Sequence, residues 1–188
     1  MPQFETAFDL STMPPFVVRA GGKKLDGSLI NLASNESPFG PSPKVLEALS
    51  QRQTRLNRYP DMGSVELRNA IADHFNLESD RIVCGNGGDT LIHGLAVAYA
   101  SNGYEIVYSE FGFIMFRRAS LAVNAKPVVV AEDNYTFSVD NALAAVSDKT
   151  RILYIANPNN PTGTYLDSTE LLRLREELPD YVILMIDD

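Results

Sequence analysis

From residue 81 onward, short apolar blocks alternate with segments of helical spacing. Residues 81–84, 104–108, 127–131, 151–156 and 181–186 are compact runs rich in Ile, Val, Leu and Tyr, the residue types that suit a pleated, buried surface. Between them, helical patterns run from the glycines at 85–88 through Tyr99, over 113–123, over 139–146, and from Asp167 to just before Pro179. Asp167 and Glu170 form a capping-box pair for the last of these. Strand and helix in alternation with short loops predict an α/β fold: three layers, α/β/α, around a largely parallel sheet. The run 181–186 is apolar throughout, which predicts a strand buried on both faces. Upstream, Ser42 followed by Pro43 opens a helix carrying Val45, Leu46 and Leu49. Ser64 is expected to cap the next, where Leu67, Ala70, Ile71, His74 and Phe75 share one apolar stripe. Residues 1–41, with Pro14-Pro15, Gly21-Gly22 and ESPFGPSP, lack periodicity and read as an N-terminal arm.

Composition narrows the class. The balance of 16 Lys+Arg against 24 Asp+Glu gives a net charge of −8, which argues against nucleic acid as a partner because the phosphate backbone would repel the chain. Cys84 is the single cysteine and cannot close an internal disulfide, so a reducing cytoplasm is expected. The N-terminus has acids and prolines where a signal peptide needs a positive end and an apolar stretch, and no apolar run approaches the ~20 residues of a membrane span. His74 falls on a helical stripe and is expected in the core, and His93 is expected to be partly buried. Two histidines and one cysteine without clustering give no metal site. Arg173, Arg175, Glu176 and Glu177 read as a solvated helix face. The chain stops at Asp187-Asp188, directly after an apolar strand, whereas chains usually finish on the surface. A continuation is therefore expected.

Ligands of parallel sheets bind at the carboxyl ends of the strands, and four such ends carry unusual residues. Gly85-Asn86-Gly87-Gly88-Asp89-Thr90 opens a helix, so the amides of Gly88, Asp89 and Thr90, with the Thr90 hydroxyl, suit a phosphate. A tight turn that needs glycine accounts for the same residues. A dinucleotide fingerprint fits poorly: Glu110 stands at the distance of a ribose-binding acid, but Thr90 occupies the place of the third glycine. Phe111, just past the second strand end, suits stacking on a planar ring, or packing in the core. Asn157-Pro158-Asn159-Asn160-Pro161-Thr162-Gly163 makes a rigid polar loop in which the Asn160 amide is fixed in direction, with Asn160–Pro161 a candidate cis bond. Asp187 places a carboxylate at the end of a buried strand, where it needs a cation from the protein or from a ligand.

In chain order these sites resemble the fold-type I pyridoxal-phosphate aminotransferases, above all the histidinol-phosphate aminotransferase subgroup. The resemblance rests on NLASNESPFGPSP, NRYPD, GNGGDT, SEFGF, NPNNPTG and the acid at Asp187. It implies that Gly88, Asp89 and Thr90 bind the phosphate of pyridoxal 5'-phosphate, that Phe111 stacks on its ring, and that Asn160 donates to its phenolic oxygen. Asp187 would pair with the ring nitrogen. Tyr59 would reach the cofactor phosphate of the neighbouring subunit of a homodimer, and Asn35 would lie near the substrate. The fold implied is the type I large domain, with residues 1–41 as arm and part of a small domain and residues 42–188 as the first half of the large domain. The family's Schiff-base lysine follows the Asp187 position by tens of residues; Lys23, Lys24, Lys44, Lys126 and Lys149 sit in no matching motif, so no catalytic residue is expected within this chain. The activity implied moves an amino group between histidinol phosphate or an aromatic amino acid and a 2-oxo acid. TMPPFVVRA lacks the tyrosine that histidinol-phosphate enzymes carry in the arm, which brings in the aromatic substrates. The alternatives are a pyridoxal-phosphate decarboxylase of a phosphorylated amino acid and a non-catalytic Rossmann-type nucleotide-binding module.

Overall fold

The computed structural model describes residues 12–13 and 35–188. Most of the arm, including all of TMPPFVVRA after its first two residues, lies outside the described residues. Two compact units divide the chain, Pro15–Cys84 forming one and Met1–Pro14 with Gly85–Asp188 the other.

The first unit, Pro15–Cys84, carries helices α1 (Pro43–Arg52) and α2 (Val65–Phe75). Ser42 caps α1 as expected, its hydroxyl accepting from the Val45 amide at 3.3 Å. Ser64 does not cap α2. It sits in the left-handed region, and Asp61 takes over, its carboxylate accepting from the Gly63 amide at 3.0 Å and the Val65 amide at 2.6 Å. The α2 stripe is largely exposed, with Ala72 alone buried in that helix. His74 is exposed as well, its ring edge-on to Phe75, so it is no core histidine. Ile82 is extended, yet residues 82–84 form no strand: a strand needs a neighbour to hydrogen-bond, and none is found among the described residues.

The second unit contains α3 (Gly88–Tyr99), β1 (Glu105–Ser109), α4 (Ile114–Ala122), β2 (Lys126–Val130), α5 (Val139–Ala145), β3 (Thr150–Ala156), α6 (Ser168–Glu177) and β4 (Ile183–Asp187). The strands form one parallel sheet in the order β2-β1-β3-β4. Strand alternation sorts the side chains between two cores. On one face Ile106, Tyr108, Ile152 and Tyr154 pack with Ile92 and Ala96 of α3 and Phe116 and Ala119 of α4. On the other, Val107, Leu153 and Ile155 meet Val139 and Ala142 of α5 and Leu174 of α6. The expected α/β/α sandwich is present. β4 departs from its expected burial on both faces: it is an edge strand with β3 as its neighbour, and Ile186 is 44% exposed. No helix among the described residues is long and apolar enough to cross a membrane.

Two tyrosines in the first core offer a contrast. Tyr154 stacks on Phe116 and its hydroxyl donates to the Ile92 carbonyl at 2.6 Å, tying β3 to α3. The Tyr108 hydroxyl is buried with no partner among the described residues. Burial pushes both phenols above their ordinary acidity range, with Arg117 opposing the shift at Tyr108. A satisfied buried hydroxyl stabilises and an orphaned one costs desolvation. Tyr154→Phe is therefore expected to destabilise by about 1 kcal/mol, and Tyr108→Phe to be neutral or stabilising by a similar amount. Urea unfolding of both variants checks this; equal losses would contradict it.

Arg173 is more than a solvated face. It pairs with Glu170 and Asp140 at 2.8 Å each, joining α6 to the start of α5, and these carboxylates hold its guanidinium firmly protonated. Glu170 thus serves Arg173, while Asp167 caps α6 by accepting from the Glu170 amide at 3.0 Å.

Candidate active site

The chain runs from β1 to β2 on one side of the sheet and then returns to β3 on the other, so the loops after β1 and β3 diverge. A crevice opens at such a switch point. It is present: a cavity of about 380 Å³ lined by Phe111, Gly112, Phe113 and Ile114 from the loop after β1, and by Asn160 and Pro161 from the loop after β3. Phe111 is 41% exposed, so it is not a core residue.

The Asn-Pro loop owes its shape to residues other than Asn160. Asn157 exchanges hydrogen bonds with Leu166, its Oδ1 accepting from that amide at 2.7 Å and its Nδ2 donating to that carbonyl at 3.2 Å. Asn159 is buried and donates to the Phe111 carbonyl at 3.2 Å and to the Thr162 hydroxyl at 2.8 Å. Both Asn157–Pro158 and Asn160–Pro161 are cis. The Asn160 amide takes no part in these bonds, and the residue lines the cavity. The sequence signalled a rigid loop but did not separate the scaffold asparagines from the one that lines the cavity.

Beside this loop, β4 delivers Asp187. Its backbone carbonyl accepts from the Asn157 amide at 2.9 Å, so the strand end and the loop are hydrogen-bonded neighbours. Its carboxylate lies against the first residue of α3: a Cβ on Gly88 would stand 3.6 Å from Oδ1. α3 starts at Gly88 after Gly87, whose φ of +77° suits glycine, and no side chain caps the helix. Its first amides thus have no side-chain cap. The Thr90 hydroxyl donates to the Asn86 carbonyl at 3.1 Å, so its proton is committed to the loop. No cation pairs with Asp187 among the described residues. Burial pushes its carboxyl above the ordinary range, and the charges of Asp89 and Asp188 push the same way.

Gly88, Asp89, Thr90, Phe111, Asn160 and Asp187 therefore all lie at the carboxyl edge of one sheet. Tyr59 and Asn35 belong to the other unit. There Tyr59 is 96% exposed beside Arg52, Arg55 and Arg58, and Asn35 is exposed with a left-handed backbone. His93, expected to be partly buried, is exposed on α3.

A doubly covered parallel sheet with its polar residues at one edge is the arrangement of an α/β enzyme domain. More specifically, the chain belongs to the aminotransferase class I and II family, whose model matches residues 27–188. It is 50% identical over 159 residues to the histidinol-phosphate aminotransferase of Paramagnetospirillum magneticum, covering 85% of this chain and 44% of that protein. It is 49% identical over 159 residues to the enzyme of the same name from Rhodospirillum centenum, with the same coverage. The chain spans less than half the length of these relatives. Among solved structures, histidinol-phosphate aminotransferase from Sinorhizobium meliloti, in complex with pyridoxal-5'-phosphate, superposes with a TM-score of 0.79 at 28% identity. That match covers 82% of this chain and 42% of the other. The fold is that of the type I pyridoxal-phosphate transferases.

Proposed function

We propose that the chain carries the cofactor cradle of a cytoplasmic, homodimeric pyridoxal-phosphate aminotransferase acting on histidinol phosphate or an aromatic amino acid with a 2-oxo acid as acceptor. The observation that carries this reading is the Asp187 carboxylate, set without a cation among the described residues at a strand end beside uncapped helix amides. A ligand with a cationic ring nitrogen, a planar ring and a phosphate matches that donor set. Pyridoxal phosphate, when bound, supplies a protonated ring that accepts the electrons left when a substrate α-proton departs. In this reading Asp187 holds the proton on the ring nitrogen, and the amides of Gly88, Asp89 and Thr90 take the phosphate at the positive end of α3. Phe111 supplies an aromatic face, and Asn160 donates a hydrogen bond to the phenolic oxygen. Tyr59 would serve the phosphate in the partner subunit, and Asn35 the substrate. Residues 42–188 would then be the first half of the large domain.

Difference absorbance of the 188-residue chain titrated with pyridoxal phosphate and, separately, with NAD tests this. Saturable pyridoxal-phosphate binding without Schiff-base formation is expected, because none of its lysines sits in the family's motif. Binding of NAD in preference would overturn the reading, and a stable Schiff base would overturn the absence of the catalytic lysine.

A further inference from the structure

The loop after β2 breaks a local rule. Residues 133–136 form a two-residue hairpin: the Thr136 amide donates to the Asp133 carbonyl at 3.0 Å and the Asp133 amide to the Thr136 carbonyl at 3.1 Å. Its central residues, Asn134 and Tyr135, have φ of +51° and +62°. Positive φ at both positions is the type I′ pattern, which favours Asn-Gly. Asn is in place; where glycine belongs stands a large aromatic in the left-handed region, an arrangement that is costly for a bulky residue. Strain of this kind persists where surrounding contacts over-determine it.

Those contacts lead to the switch-point cavity. The Asn159 side chain donates to the Phe111 carbonyl and to Thr162; the Thr162 and Thr164 hydroxyls are 2.8 Å apart; the Thr164 hydroxyl donates to the Tyr135 carbonyl at 2.6 Å. One run of hydrogen bonds thus joins the loops after β1, β2 and β3. At its far end the Tyr135 ring meets the Phe111 ring, with centroids 5.2 Å apart and planes at 55°. Phe111 lines the cavity and Tyr135 does not, so Tyr135 supports Phe111 from outside it. Burial does not account for Tyr135, which is exposed. Its contacts are the Phe111 ring and the Thr164 hydroxyl.

We infer that Tyr135 is a positioning residue: anchored through Thr164, it fixes the Phe111 ring on the cavity wall where a planar cofactor ring stacks. The inference rests on the cofactor reading above.

Tyr135→Gly tests it, because a merely structural role predicts the opposite result. Glycine relieves the backbone, so this variant should melt at or above the temperature of the parent chain. Its affinity for pyridoxal phosphate should nevertheless fall by about three- to tenfold, the scale of an aromatic pair. Tyr135→Phe keeps the ring and should keep the affinity. In a Phe111→Ala background Tyr135→Gly should cause no further loss, since the two act as one unit. In the ligand-free chain, side-chain scalar couplings should show one Phe111 rotamer in the parent and averaging in Tyr135→Gly. An unchanged Phe111 rotamer together with unchanged affinity would overturn the inference. Failure of the parent to bind pyridoxal phosphate would instead overturn the cofactor reading, while the rotamer measurement would still decide whether Tyr135 holds Phe111.

Discussion

Replacing Asp187 by asparagine is expected to raise the melting temperature of the ligand-free chain at neutral pH and to weaken pyridoxal-phosphate binding roughly ten- to hundredfold. Both effects have one origin. Burial, reinforced by Asp89 and Asp188, lifts the folded-state pKa of Asp187 above its ordinary 3.8. A folded state with the higher pKa binds more protons than the unfolded chain, so stability falls as pH rises through the window that begins near 3.8. Asparagine keeps the shape and removes that fall. With the ring nitrogen of the proposed cofactor in place the sign would reverse: the carboxylate would gain a charge-assisted hydrogen bond worth about 1.5–3 kcal/mol, which the variant forfeits. Melting curves between pH 3 and 8, with and without pyridoxal phosphate, check both halves. An asparagine variant that melts lower at neutral pH and binds as tightly as the parent would refute this account.

At the opposite end of the sheet, Glu105→Ala is expected to cost about 1.5–3 kcal/mol of unfolding free energy, the scale of hydrogen bonds to a charged group. That corresponds to roughly 3–12 °C in melting temperature. Glu105 begins β1 and is 6% exposed. It is the register partner of Lys126 on β2 and of Thr150 on β3. Its carboxylate accepts from Lys126 at 2.8 Å, from the Ser147 hydroxyl at 2.5 Å and from Thr150 at 3.4 Å, so one side chain pins three strands. Lys126 is 68% exposed and loses little when left alone, so most of the cost arises from the half-buried Ser147 and buried Thr150 hydroxyls. The Lys126 and Ser147 hydrogen bonds hold the folded-state pKa of Glu105 below its ordinary 4.5. Its stabilisation is therefore complete above that value and lost as pH falls through the lower, folded-state one. Urea unfolding of parent and variant at pH 7 should differ by the stated amount, and the gap should close in acid. A gap that is constant with pH would show that packing, and not charge, accounts for the loss.

Much of the second unit was legible from residue patterns. The apolar blocks at 104–108, 127–131, 151–156 and 181–186 match β1 to β4 within one or two residues, because strands of a parallel sheet flanked by helices leave an apolar signature, strongest in the central pair β1 and β3. The run at 81–84 carries a similar signature and forms no strand, since pairing depends on a neighbour that local sequence does not encode. Ser64 looked like a cap, but Asp61, three residues earlier, reaches the amides first. The α2 stripe was legible as amphipathic, yet periodicity says only which residues share a face, not what covers it.

The candidate site divides the same way. Glycines before a helix, an asparagine-proline loop and an acid after an apolar run can be read from the chain, because each is a local device with a local sequence cost. Sequence alone thus determined the α/β class and the strand ends where chemistry gathers. Tertiary structure decided what those ends do together. It joined Asp187 to the start of α3, made Asn159 the scaffold and left Asn160 on the cavity wall, and set Tyr135 behind Phe111. These relations arise from strand order and register, which bring residues far apart in the chain within hydrogen-bond reach, and a linear pattern holds no record of that distance.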